Sequence, residues 1–202
     1  MKAVVDECVA ICASKRFADN REECVMNEVI QALKERRSIR KFKPDMVPKE
    51  KIEAIMETGL YAASGRGQQK PIVIAVTDKA LRDKLSKVNC EIGGWDPSFD
   101  PFYGAPVVLI VLSPKDWPTY IYDGSLLMGQ LMQAAHAEGL GSCWIHRAKE
   151  EFEMEIGKEI LKKLGIEGDY EGIGHCVIGY PDEVPEAAPR KDGRIFWLTD
   201  EK

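Results

Sequence analysis

No apolar run in the chain approaches the ~20 residues that a membrane-spanning helix needs. No two cysteines stand at CxxC spacing. Cys8, Cys12, Cys24, Cys90, Cys143 and Cys176 are scattered, and although Cys8 and Cys12 lie one helical turn apart, no further ligands stand close enough to complete a metal site. The expectation is six reduced, buried or half-buried thiols rather than a disulfide framework. There is no phosphate-binding GxxxxGK[ST], no GxGxxG after a strand, no HExxH and no GxSxG, so the sequence offers no warrant for a P-loop, a dinucleotide fingerprint, a zincin or a serine hydrolase. Excess positive charge is lacking too: 28 Lys and Arg face 33 Asp and Glu, for a net charge of −5 and a pI near 5.4. Neither nucleic acid nor an anionic membrane surface would be attracted to the molecule as a whole. Repeats, low-complexity tracts and Gly/Ser/Pro linkers are missing. The opening MKAVVDECVAICASK has Asp6 and Glu7 inside its apolar stretch, which a secretory leader would not carry, so the expected location is the cytoplasm.

What is there suits one compact domain: 202 residues, 45% hydrophobic and 30% charged. We expect a helical extension over residues 1–26 and a single domain over 27–202. Val29, Ile30 and Leu33 recur at helical spacing from Asn27 to Arg36. Pro48 opens a second helix with Ile52, Ile55, Met56 and Leu60 on one face. Strand IVIAVT (72–77), helix 78–88 and the wholly apolar strand PVVLIVLS (106–113) follow. Segment 120–139 is apolar almost all round, as expected of a helix also covered by a partner subunit. Strand SCWI (142–145), helix 149–164 and strand GHCVIGYP (174–181) complete the core, and the polar tail 182–202 is expected to wrap over a surface. The pattern is α+β, a three-layer αβα arrangement. His136 and His175 read as packed or structural histidines.

Four segments carry candidate chemistry. ERRSIRKFKPD (35–45) puts five cations, Arg36, Arg37, Arg40, Lys41 and Lys43, within eight residues around Ser38. Arginine forks plus a hydroxyl are what a phosphate monoester needs, although a basic helix end also complements the helix dipole without binding anything. YAASGRGQQKP (61–71) is a tight polar loop whose glycines permit close backbone approach to a planar ligand; it also reads as an ordinary helix–strand turn. GLGSCWIHR (139–147) enters and leaves a strand, and PRKDGR (189–194) is a second basic cluster.

In order and spacing these segments resemble the nitroreductase family of FMN-dependent oxidoreductases, from about Asn27 to Leu198. Arg36-Arg37-Ser38-Ile39-Arg40-Lys41-Phe42 matches the family's first motif. The resemblance implies that Arg36 and Arg37 hold the ribityl phosphate with help from Ser38, and that Arg40 meets the pyrimidine edge of the flavin. Ala63-Ser64-Gly65-Arg66-Gly67-Gln68-Gln69-Lys70-Pro71 aligns with Pro-Ser-x-x-Asn-x-Gln-Pro. Ser64 and Gln69 match; Ala63, Gly67 and Lys70 depart. This loop, with Ala63, Ser64, Gly65, Gly67 and Gln69 as cofactor-binding candidates, is implied to reach the flavin bound mainly by the other subunit. Trp144, Ile145, His146 and Arg147 are implied to line the flavin, with backbone amides near His146 addressing N5 and Arg147 standing where a Gly is common. Arg190 and Lys191 are implied to close on the phosphate, and Asn89 to contact the pyrimidine.

The resemblance further implies a mixed central sheet flanked by helices in an intertwined homodimer, with FMN at the subunit interface. The activity it implies is ping-pong transfer from NADH or NADPH to nitroaromatics, quinones or other small electron-poor acceptors. No catalytic side chain is nominated, because the flavin carries the chemistry. Aromatics at 95–103 and 117–120 are candidates for covering its open face. The alternatives are another flavin reaction on the same fold, such as dehalogenation or flavin breakdown, and a non-catalytic flavin-binding or redox-sensing protein.

Overall fold

The computed structural model describes residues 27–198. Helix α1 (Glu28–Glu35) is followed by α2 (Lys49–Leu60), a 3-10 turn (Gly65–Gly67), β1 (Ile72–Val76) and α3 (Lys79–Gly93). Then come β2 (Val107–Pro114), α4 (Tyr120–Ala137), β3 (Gly141–Ile145), α5 (Ala148–Glu153), α6 (Glu155–Leu164) and β4 (Tyr170–Gly179). The helix expected before residue 24 and the cysteines at 8, 12 and 24 lie outside the described residues.

The sheet runs β1-β2-β4-β3. β2 is buried on both faces, and its alternating side chains divide the core in two. Val107, Leu109 and Val111 point into one cluster with Ile52 and Ile55 of α2 and Leu127, Met128 and Leu131 of α4. Val108, Ile110 and Leu112 point into the other with Leu85 of α3, Phe152 of α5 and Ile156 and Ile160 of α6. This is the expected three-layer αβα arrangement of an α+β fold. Each fully buried aliphatic side chain contributes about 1.5–3 kcal/mol, so the two clusters together hold the layers.

The expected mixture of strand directions is confined to the periphery. All three ladders are antiparallel, and the parallel pairing among the described residues is an isolated Ser38–Ser142 bridge. There the segment leaving α1 lies beside the start of β3, and Ile39 N–H donates to Ser142 O at 2.9 Å. Two helices differ from expectation. α3 continues to Gly93, capped at its start by Asp78 accepting from Leu81 N–H and at its end by Gly94 at φ 64°. The single helix expected over 149–164 breaks at Met154, which is extended at ψ 170°. A Cβ on Gly157 would stand 2.4 Å from Phe152 Cα, so the break seats α6 directly against α5.

α4 is buried along Asp123, Gly124, Leu127, Met128, Leu131, Ala134 and Ala135 but exposes Ile121, Tyr122 and Leu126. Its all-round apolarity is therefore satisfied on one side within the chain. Beyond Pro181 the tail lies against the domain over 182–185, meeting Lys41, Arg40 and the Arg36 cavity, whereas Ile195, Phe196, Trp197 and Leu198 are each more than 80% exposed. Of the described cysteines, Cys90, Cys143 and Cys176 are free and buried. His175 is fully buried, as its structural reading required, and His136 is half-buried.

Candidate functional site

The segment 36–42 reaches the sheet through the Ser38–Ser142 and Phe42–Pro181 bridges, which places the basic motif beside β3. Its two leading arginines have different fates. Arg37 turns its Nη1 back onto Lys34 O at 2.6 Å and Arg36 O at 2.7 Å, closing the end of α1 as a helix-terminal cation does. Arg36 is half-buried, and its Nη1 is buried without a hydrogen-bond partner. Both arginines line a cavity of about 360 Å³ with Ile39, His136, Gly141 and Glu183. Arg40 is exposed, and its backbone N–H donates to Glu183 Oε1 at 2.5 Å. Ser38 is half-buried against Cys143. Burial pushes the Cys143 thiol up, opposed by Arg40, by a hydrogen bond with Ser38 and by Arg36. Burial pushes the Cys176 thiol up further, beyond any physiological ionisation. Neither thiol is a nucleophile.

At the other end of β3, Trp144 is half-buried, Ile145 buried and His146 exposed. Arg147 sits at φ 78°, a left-handed conformation that suits the Gly common in the family and that an Arg holds at a cost of order 1 kcal/mol. Its guanidinium lies 4.4 Å from the centre of the Trp95 ring. Trp95 packs edge-on against Phe99, and Phe99 against Tyr103, forming one aromatic chain over the 95–103 loop. Trp144, His146 and Arg147 line a cavity of about 330 Å³ whose far wall is Ile121 and Ser125 of α4.

Asn89 does not face that space. It is fully buried on α3 and donates to His146 O at 2.9 Å and to Glu151 Oε1 at 2.7 Å. Both amide hydrogens of Asn89 are thus committed within the protein, and its Oδ1 has no hydrogen-bond partner among the described residues.

The loop after α2 is built on a residue that sequence reasoning missed. Asp123, buried on α4, accepts from Gly65 N–H at 3.0 Å and from Thr119 Oγ1 at 3.0 Å. Gly65 could not carry a side chain, since a Cβ would stand 2.3 Å from Thr119 Oγ1. Ser64 Oγ accepts from Gln69 N–H at 2.9 Å, and Arg66, Gly67 and Gln69 all have positive φ. Lys70 Nζ lies 5.7 Å from the centre of the Trp117 ring. Ala63, Gly67 and Gln69 are exposed. A carboxylate inside an otherwise apolar helix was the available signal for Asp123.

Arg190 and Lys191 lie in the tail beyond β4. Both are exposed, and Arg190 donates only to Ala188 O, two residues back. Glu183, also unforeseen, shares the Arg36 cavity because the turn after β4 returns to Lys41 through Asp182 N–H.

This disposition, with a basic arm on β3, a glycine-bearing loop docked on α4 and a strand end facing α4, is that of the nitroreductase family, and the chain belongs to it. The Nitroreductase family model matches residues 33–92 and 95–180. The chain is 38% identical over 187 residues to the FMN reductase [NAD(P)H] of Bacillus subtilis, covering 82% of this chain and 70% of that protein. Its fold superposes on a nitroreductase with bound FMN from Bacteroides fragilis at a TM-score of 0.79 and 23% identity, over 86% of this chain and 100% of that one. It also superposes on oxidised iodotyrosine deiodinase bound to FMN and 3-iodo-L-tyrosine at 0.68 and 22% identity, over 85% and 99% of the two chains.

Proposed function

We propose that the chain is an FMN-dependent oxidoreductase that takes reducing equivalents from NADH or NADPH and passes them to a small electron-poor acceptor. It works as a homodimer with a flavin at each subunit interface, in the cytoplasm, where buried free cysteines stay reduced. Residues 27–202 form the catalytic domain, and 1–26 an extension to it. The observation that carries the reading is Arg36, whose Nη1 is buried and unpartnered at a cavity it shares with Arg37. A buried donor without an acceptor costs about 1–3 kcal/mol, a cost recovered when the Arg36 side chain turns to a phosphate in that cavity.

The other residues fit the same cofactor. Arg37 and Ser38 adjoin Arg36 and can turn to the same phosphate. Arg40, exposed, supplies positive charge for the pyrimidine edge, where two-electron reduction places negative charge. Backbone amides at His146 and Arg147 face the central ring. The 63–69 loop, held by Asp123, and the exposed Arg190 and Lys191 serve the flavin bound mainly by the other subunit. FMN, when bound, supplies the two-electron chemistry; the chain binds it, orients it and keeps one face open to nicotinamide and acceptor in turn. Trp95, Phe99 and Tyr103 border that face and select what enters.

The test is an absorption spectrum of the purified protein followed by anaerobic titration. A yellow protein bleached by NADH or NADPH is the expected result. A tightly bound flavin that neither nicotinamide bleaches would overturn the reductase reading in favour of a non-catalytic flavoprotein, and a protein with no affinity for FMN would overturn both. The likeness to iodotyrosine deiodinase supports one second reading, reductive dehalogenation on the same fold. Halide release from an iodinated phenol by the dithionite-reduced protein distinguishes it.

A further inference from the structure

Three of the most deeply buried polar side chains of the described residues are ones that the proposed reaction does not use. Asn89, Glu151 and His175 are each 0% exposed, and they come from three different elements, α3, α5 and β4. Asn89 Nδ2 binds Glu151 Oε1. Glu151 Oε2 lies 3.0 Å from His175 Nε2, a close polar contact without aligned hydrogen-bond geometry. His175 in turn packs against Phe102, with ring centres 5.1 Å apart. Burying polar side chains is costly unless each atom finds a partner, and beyond the Asn89–Glu151 bond this group makes only the one imperfect Glu151–His175 contact. A network of this kind is expected to hold something in place.

What it holds is the exit of β3. Asn89 Nδ2 also donates to His146 O, and Glu151 N–H donates to Arg147 O at 3.1 Å. The carbonyl before Arg147 is thus tied to the Asn89 side chain, and the one after it to the first backbone turn of α5, which carries Glu151. All described peptides are trans, and in a trans peptide the C=O and N–H point in opposite directions. Drawing His146 O inward therefore aims the Arg147 N–H outward, away from Asn89. The left-handed φ of Arg147 is the backbone cost of that aim, and such strain persists only where surrounding contacts over-determine it.

We infer that Asn89, Glu151 and His175 form an internal clamp that presents the Arg147 amide to the N5 edge of the flavin, making Asn89 and Glu151 positioning residues. The inference rests on the function proposed above. N5 of oxidised flavin accepts a hydrogen bond, whereas N5 of reduced flavin already carries a hydrogen. A correctly aimed amide therefore favours the oxidised form, and loosening the clamp must weaken oxidised FMN more than reduced FMN.

The experiment titrates apoprotein with oxidised FMN and, anaerobically, with dithionite-reduced FMN. Asn89→Ala is expected to lower the affinity for oxidised FMN by roughly three- to tenfold, the effect of one net hydrogen bond, and to change the affinity for reduced FMN by less than half that factor. Glu151→Gln preserves shape and should move the ratio of the two affinities in the same direction by at least about twofold; it decides alone if Asn89→Ala does not fold. Leu85→Ala, fully buried one turn earlier on α3, is the control: it should lower the melting temperature and leave the ratio unchanged. An unchanged ratio in the clamp variants, or an equal change in Leu85→Ala, overturns the clamp while leaving wild-type FMN binding intact. A wild type without FMN affinity overturns the proposed function and the clamp with it.

Discussion

At the scale of single residues, burial separates cations that sequence treats alike. Arg36 and Arg37 are neighbours in one motif, yet Arg37 is already satisfied by helix carbonyls while Arg36 Nη1 has no partner. Arg36→Ala should therefore lower FMN affinity by about 1.5–3 kcal/mol, one charge-assisted contact, and Arg37→Ala by less; flavin fluorescence titrations measure both. Motif spacing made the basic arm legible, but which arginine stands empty depends on where α1 ends. Arg147 is the complementary case. Sequence flagged it as standing where Gly is common, and the structure supplies the left-handed φ and the stack on Trp95. Arg147→Gly relieves strain of about 1 kcal/mol and loses a cation–π contact of about 0.5–1 kcal/mol. Thermal melting should consequently shift by no more than about 1 kcal/mol either way, while the KM for the acceptor changes because Trp95 is freed.

At the scale of elements, periodicity revealed the long helices and the buried β2 but not how elements touch. The break at Met154 was invisible because residues 149–164 keep a helical pattern throughout, and the cause is a close approach between α5 and α6. A similar approach governs β4. Its register slips between Val111 and Leu112 of β2, leaving Ile173 between paired Gly174 and Gly172. A Cβ on Gly172 would stand 2.2 Å from the Ala148 carbonyl. Gly172→Ala should push α5 off the sheet and destabilise the fold by about 1–3 kcal/mol or more, read by chemical denaturation. The 95–106 loop is knitted by Asp100, which accepts from Arg82 Nη2 at 2.6 Å, from Ser86, and from the Phe102 and Gly104 amides. Burial would raise its carboxyl, but Arg82, Ser86 and the Gly104 amide outweigh that and hold it below the usual carboxylate range. A depressed folded-state value means stability that is full above the unfolded pKa of about 3.9 and lost as pH falls through the folded one. The stability gap between wild type and Asp100→Asn should accordingly stay constant above about pH 5 and close below about pH 4 in melting curves.

At the scale of the whole molecule, the proposed dimer accounts for apolar surface that one chain leaves exposed. Ile121, Tyr122 and Leu126 form an exposed stripe on α4, and Ile195 to Leu198 extend from the domain with nothing against them. Composition hinted at the first, through the all-round apolarity of α4. It concealed the second, because a few apolar residues in a polar tail give no periodic signal. In the proposed dimer the tail of one subunit, with Arg190 and Lys191, serves the flavin of the other. That arrangement predicts a linkage between assembly and cofactor binding. Truncation after Pro185 removes Arg190, Lys191 and the apolar end together, and it should lower both dimer stability and FMN affinity. Arg190→Ala with Lys191→Ala keeps the apolar end, so it should weaken FMN binding while sedimentation still reports a dimer. Phe196→Ser with Trp197→Ser keeps the cations, so its loss of flavin affinity should track dissociation and recover as protein concentration rises, as mass action requires of a site shared between subunits. A flavin affinity independent of protein concentration in that last variant would mean that each chain binds its cofactor alone.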